Sequence, residues 1–144
     1  MDHFKFDDSI GFLVNRAAIR LKNELWKAFK VHGFSITPEQ WGVLNCLWEE
    51  DRQTQTEIAE RILKDKTNLT RMLDVMEREA LVVRRPHETD RRSYRIYLTP
   101  NGKKLKKKLI PIAIEINEAS IQNLSVREKK ELKRLMNAVN RNLA

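Results

Sequence analysis

The chain has 144 residues, 41% of them hydrophobic and 33% charged, with a formal net charge of +8. That balance belongs to a globular chain rather than a disordered one, and with no run of about 18 apolar residues no segment is expected to span a membrane. The single cysteine, Cys46, excludes an internal disulfide framework and suits a reducing, cytoplasmic setting, and the opening MDHFKFDDSIGF has no basic-then-apolar pattern of a secretory signal.

The first predicted element is a long helix over about residues 8–32, along which run Ile10, Leu13, Val14, Ala17, Leu21, Leu25 and Phe29. Thr37-Pro38-Glu39-Gln40 then offers an N-cap hydroxyl, a proline at the first helical position and a glutamine that closes a capping box, so a helix is expected over 38–49. Thr54-Gln55-Thr56-Glu57 repeats the S/T-x-x-E signal for a helix over 55–62, and Asp65 caps another over 66–80. Only three or four residues around Leu63-Lys64 join these two, which is the connection of a helix-turn-helix. Short extended pieces follow near 82–85 and 94–98. Thr99-Pro100 starts a helix over 100–120, in which Pro111 is expected to make a kink or an interruption. Ser125-Val126-Arg127-Glu128 starts the last helix, over 126–142.

The positive charge is concentrated. From Arg84 to Lys108 there are ten Lys/Arg against two acids, 10 − 2 = +8, and the rest of the chain balances at 18 against 18. Such a concentration points to a polyanionic partner. In the 66–80 helix Leu69, Met72, Leu73 and Met76 fall at i, i+3, i+4 and i+7 and form one apolar stripe. Thr67, Thr70, Arg71 and Asp74 lie opposite, with Lys66 and Asn68 on the flanks. Arg, Asn and Thr are side chains that read base edges in a major groove; the plainer reading is a solvated helix face. The two extended pieces, Val82-Val83-Arg84-Arg85 and Tyr94-Arg95-Ile96-Tyr97-Leu98, make a hairpin directly after the helix-turn-helix, which is a wing. A basic wing can reach phosphates or a narrow minor groove. Within it Asp90 is expected either to hold a guanidinium in a bidentate bond or to act as a simple turn residue.

These segments resemble the MarR family of bacterial transcription regulators. The resemblance is carried by Thr54-Gln55-Thr56-Glu57-Ile58-Ala59-Glu60-Arg61, by Asp65 to Leu73, by Glu77 to Val82, and most specifically by Asp90-Arg91-Arg92 followed by Leu98-Thr99-Pro100-Asn101-Gly102. It implies a mainly α fold with a small β-wing, a single domain over 1–144. A winged helix-turn-helix lobe would occupy 37–98, and 1–36 and 99–144 would supply dimerisation helices. It further implies a homodimer that binds double-stranded DNA at a pseudo-palindromic operator, as a repressor, with Arg92 in the minor groove and Asp90 orienting it. Lys66, Thr67, Asn68, Thr70 and Arg71 would form the recognition face, with Thr54, Gln55 and Thr56 at the preceding helix start. Arg84, Arg85, Arg91 and Arg95 would face phosphate or solvent. Two departures stand out: Ala80 replaces a frequent glycine, so that helix must close without a permissive left-handed residue, and the turn at Leu63-Lys64 lacks one as well.

The apolar positions at both ends, including Leu109, Ile110, Ile112, Ile114, Ile116 and Ile121 and then Leu132, Leu135, Met136 and Val139, serve either the lobe's own core or a second copy. The family often binds small aromatic anions between the dimer helices and the lobe. Trp26, His32, Trp41 and Trp48, with Arg16 as counter-charge, are the candidates for such an effector; the alternative is that these aromatics fill the helix junction. The family's peroxide-sensing branch carries its reactive cysteine near the N-terminus, where this chain has none, and Cys46 reads as a buried, inert thiol. His3, His32 and His87 have no metal-ligand spacing, and no metal or cofactor is expected. No P-loop, G-x-S-x-G or H-E-x-x-H motif marks an enzyme. The alternative function is a winged helix used only for protein or RNA contact.

Overall fold

Side-chain caps set where the helices begin. The structure, a computed structural model that describes residues 3–144, starts with a 3-10 turn at Phe6–Asp8. It continues through α1 (Ile10–Val31), α2 (Pro38–Glu49), α3 (Gln55–Ile62), α4 (Lys66–Arg78), β1 (Val82–Pro86), β2 (Tyr94–Leu98), α5 (Pro100–Ser120) and α6 (Val126–Leu143). The Thr37 hydroxyl accepts from the Gln40 N–H while the Gln40 side chain accepts from the Thr37 N–H, and Ser125 and Glu128 repeat this box. Thr54, Asp65 and Thr99 cap α3, α4 and α5 with the side chain alone. Each cap satisfies donors that the helix leaves free and contributes about 1 kcal/mol. At α1 the cap is Ser9, which accepts from the Phe12 N–H at 3.3 Å, so Asp8 belongs to the preceding turn and not to the helix.

α5 runs through Pro111 without the interruption that a mid-helix proline suggests. Pro111 and Lys107, whose carbonyl loses its partner four residues on, both face solvent, where water can satisfy that carbonyl.

Three helices close on the same bond. After α1, Gly33 takes φ +87° and the Phe34 N–H reaches back to the Phe29 carbonyl at 2.8 Å. After α3, Leu63 takes φ +55° and Lys64 reaches Ala59 at 3.0 Å; after α4, Ala80 takes φ +59° and Leu81 reaches Met76 at 3.0 Å. The end of α4 therefore does use a left-handed residue, and the residue is an alanine. Capping hydrogen bonds and the burial of Leu81 offset the Cβ clash that this conformation carries.

The core sits inside the lobe. Val43, Leu44 and Leu47 of α2, Ile58 of α3, Leu69, Leu73 and Met76 of α4, Val82 of β1 and Ile96 of β2 are sealed from solvent. Phe29 of α1 and Leu109 and Ile112 of α5 join the same cluster, so the core crosses the limits at residues 37 and 98. β1 and β2 pair antiparallel from Val82↔Leu98 to Pro86↔Tyr94. A bridge between Thr54 and Arg95, with the Ile96 N–H donating to the Gln53 carbonyl at 2.9 Å, ties the hairpin to the start of α3. At its base the Thr99 hydroxyl donates to the Ala80 carbonyl and the Trp48 indole to the Gly102 carbonyl. A Cβ at Gly102 would stand 2.3 Å from the Leu81 carbonyl oxygen, so only glycine permits this approach. No residue of α6 is buried, and Leu132, Leu135, Met136 and Val139 form an uncovered stripe along it.

Leu63→Gly and Ala80→Gly should each stabilise the fold, by about 1 kcal/mol, because glycine relieves the left-handed strain at positions whose side chains lie outside the core. Thermal unfolding checks this: the midpoint should rise by roughly 2–5 °C, and a fall would contradict it.

Candidate nucleic-acid interface

The α3–α4 unit is cross-braced by polar side chains. Gln55, first residue of α3, donates through Nε2 to the Thr70 hydroxyl at 2.5 Å and to the Lys66 carbonyl at 3.3 Å. Thr70 donates in turn to the Lys66 carbonyl at 2.7 Å. Asp65 accepts the Asn68 backbone N–H at 2.9 Å and its side-chain amide at 2.7 Å. The backbone bond first, then the amide, hold the Asp65 carboxyl below the usual range. Beneath these lies the predicted stripe: Leu69, Leu73 and Met76 are buried and Met72 is partly buried. Thr67, Asn68 and Arg71 stand outward, exposed.

The wing arginines divide into two sets. Arg84 is mostly enclosed, with 22% of its side chain exposed, and its guanidinium meets Asp74 at 2.5 Å and Glu77 at 3.1 Å. Its backbone N–H also donates to Glu77 at 2.9 Å. The Ala80 turn folds β1 back along α4 and brings Arg84 beside these acids. Arg95 donates through Nε to both Glu88 oxygens, through Nη1 to the Arg52 carbonyl at 3.0 Å, and contacts His87 Nε2 at 3.1 Å. Arg85, Arg91 and Arg92 are exposed, and no carboxylate among the described residues pairs with them. The sequence reading assigned Arg84 and Arg95 to phosphate or solvent; the structure gives both an internal partner.

Of the two roles expected for Asp90, a bidentate brace or a turn residue, the structure shows the turn. Its Oδ1 accepts the Arg92 backbone N–H at 3.0 Å, and its carbonyl accepts from Ser93 at 3.1 Å. A carboxylate on so short a side chain reaches the main chain two residues on before it reaches a guanidinium. It orients Arg92 through the backbone. His87 supports the same tip: Nδ1 accepts from the Thr89 and Asp90 N–H groups at 3.2 and 3.1 Å.

The two halves enclose a cleft of about 420 Å³ lined by Gln55, Thr56, Lys66, Thr70, Arg84, Asp90, Arg92, Ser93 and Tyr94. Residues from the α3 start, the α4 face and the wing thus meet, although 37 positions separate Gln55 from Arg92 (92 − 55). No site role follows from sequence for Ser93, Tyr94, Glu77 or Glu88, and Asp74 is expected on the polar face of α4 without a partner; Asp74, Glu77 and Glu88 are the acids that hold the arginines. Nothing local in the sequence marks those pairings.

The five effector candidates do not converge. Trp41 packs against Phe29 at 5.3 Å and Trp48 at 5.6 Å, within the helix junction. Trp26 lies under the Lys30 ammonium at 4.2 Å, His32 caps the exposed end of α1 through the Ala28 carbonyl at 2.8 Å, and Arg16 borders a separate groove. Cys46 is buried, and burial pushes its thiol up, against a partial lowering by Arg61. Among the described residues no group of three or more His, Cys, Asp or Glu is placed to hold a metal ion, and no helix is long and apolar enough to cross a membrane.

Comparison with known proteins agrees with this geometry. Residues 36–94 match the model of the MarR family. An organic hydroperoxide resistance transcriptional regulator of Bacillus subtilis is 32% identical over 96% of this chain and 89% of its own length. Among solved structures, a MarR transcriptional regulator from Methanosarcina mazei Go1 superposes with a TM-score of 0.83 at 28% identity, over 92% of this chain and 94% of that one. The transcriptional repressor CouR, bound to a 23-mer DNA duplex, does so with 0.78 at 26%, over 96% and 98%.

The Arg84 clamp makes a pH prediction. The Arg84 backbone N–H first, then its guanidinium, hold the Glu77 carboxyl below the usual range. A carboxyl depressed on folding contributes stability above its ordinary value and loses it as pH falls through the folded one. Glu77→Gln should therefore be less stable than wild type at neutral pH, and the gap should close below about pH 4. Urea unfolding across that range checks it, and a gap that widens on acidification would contradict it.

Proposed function

This chain belongs to the MarR family of transcriptional regulators, and from that premise we propose that it is a cytoplasmic, homodimeric repressor whose operator lies in the cleft between α4 and the wing. One observation carries the reading: three separated segments converge on one concave surface whose free cations face outward while the paired ones hold it in shape. In this reading α4 enters the major groove with Lys66, Thr67, Asn68 and Arg71 toward base edges and phosphates, while Thr70, its hydroxyl held by Gln55 and the Lys66 carbonyl, braces the start of the helix. Thr54, Gln55 and Thr56 present the α3 N-terminus to the backbone. Arg92 enters the flanking minor groove and Arg85 and Arg91 meet phosphates, while Arg84, Arg95 and Asp90 act by positioning the wing.

The uncovered stripe of α6, continued by Leu13, Val14 and Leu21 on α1 and Ile114 on α5, supports a second copy as its partner. The groove of about 580 Å³ between α1 and the α5–α6 end, lined by Leu13, Leu21, Ile116 and Leu132 with Arg16, Arg20 and Glu24, is part of this same uncovered surface. The hydroperoxide response named for the Bacillus relative does not extend to this chain through Cys46, whose thiol is enclosed and kept protonated.

Arg92→Ala should weaken operator binding by tenfold or more while unfolding temperature and elution volume stay unchanged. Titration at fixed salt decides it, because affinity depends steeply on ionic strength. Wild-type affinity in the variant would remove Arg92 from the interface.

A further inference from the structure

The wing accounts for only part of the excess positive charge. Lys103, Lys104, Lys106, Lys107 and Lys108, on the first turns of α5, are all exposed. None takes part in any ion pair found among the described residues. Leu105 and Leu109 on the same turns point into the core, so the lysines occupy the whole solvent side. Lys103 and Lys107, and Lys104 and Lys108, are like charges at i, i+4, which repel. Lys103, at the end of the first turn, also meets the N-terminal end of the macrodipole, which disfavours a cation there. The first turns of α2, α3 and α6 carry Glu39, Glu57 and Glu128; that of α5 carries no acid, as is true of α4, the helix assigned to DNA, and of α1. The arrangement opposes folding on two counts and touches nothing that compensates.

Position separates this surface from the cleft. Thr99, the α5 cap, bonds the Ala80 carbonyl at the C-terminal end of α4, whereas Lys66 stands at the other end of that 13-residue helix, about 20 Å away. We propose that the lysine face of α5 is a second, sequence-independent binding surface for the phosphates of duplex DNA. Duplex DNA carries about one negative charge per 1.7 Å of axis, dense enough to neutralise five neighbouring ammonium groups. Lysine is a flexible point charge without the planar fork of arginine, which suits contact without base reading. The choice of DNA as partner rests on the proposed function; the surface itself is independent of the cleft.

The test is the salt dependence of binding to a random-sequence duplex by the full chain, by a variant with all five lysines changed to glutamine, and by Arg71→Ala/Arg92→Ala. The cleft variant should match the full chain in unfolding temperature, the lysine variant should match or exceed it once its like charges are removed, and all three should share one elution volume. The log–log slope of the lysine variant should fall by about 0.9 for each phosphate contact removed, so by about 2.7 for three, with at least tenfold weaker binding at low salt. The cleft variant should keep most of the wild-type slope. An unchanged slope in the lysine variant overturns the proposal, as does complete loss of random-duplex binding in the cleft variant. Loss of poly-glutamate binding with DNA binding intact would assign the face to an acidic protein and overturn it too. If instead the proposed function is at fault, the cleft variant binds operator like wild type while the lysine variant still loses slope.

Discussion

Arg84 bound between Asp74 and Glu77 is the interaction on which the relation between the wing and α4 depends. A two-stranded hairpin is at best marginally stable in water, and a reader of two grooves needs its helix and wing at a fixed offset. The Arg84 guanidinium and backbone N–H together join β1 to α4 at three points. Arg95 provides the second strut, from the wing tip to the Arg52 carbonyl, and the Thr54–Arg95 bridge closes the frame on α3. Partly exposed ion pairs of this kind add little to global stability. Their effect is geometric: they hold the outward residues, Thr67, Asn68, Arg71 and Arg92, in one relation to each other.

Formal charge and available charge are therefore different quantities in this protein. Five arginines of the 84–95 stretch look equivalent in composition, yet two pair with carboxylates and three have no carboxylate partner among the described residues. The acids nearby do not cancel the attraction for a polyanion so much as decide which cations express it. The α5 lysines, exposed and in no ion pair among the described residues, hold much of the charge that is actually presented to solvent. Uncovered apolar surface follows a similar division. Phe29, Leu109 and Ile112 serve the lobe's core, while the α6 stripe and the outer side of α1 stay uncovered in the single chain.

Local signals in the sequence carried the fold. Capping residues at Thr37, Thr54, Asp65, Thr99 and Ser125 marked five helix starts, and the 3.6-residue spacing of Leu69, Leu73 and Met76 assigned the faces of α4. What stayed hidden depended on distance or on compensation. Arg84 finds its acids only after the Ala80 turn folds β1 back, and no rule of spacing specifies that turn from an alanine. For Asp90 the sequence leaves a guanidinium brace and a turn residue both open, and only the close main-chain donors of the folded loop select the turn. The aromatic residues were grouped by type, whereas helix geometry sends Trp41 and Trp48 inward and leaves Trp26, His32 and Arg16 in three separate places. The site was legible where its residues are consecutive and obscure where partners come from different elements.

In the proposed complex α4 and the wing of two copies read one duplex together. Selection of bound sequences from a random duplex library by the full-length protein tests it most directly. The account predicts an enriched inverted repeat whose half-sites lie about one helical turn, or a multiple of it, apart. It also predicts that in Arg92→Ala the flanking minor-groove positions lose their enrichment while the half-site cores keep it. Recovery of no common sequence, or of one without two-fold symmetry, would contradict it.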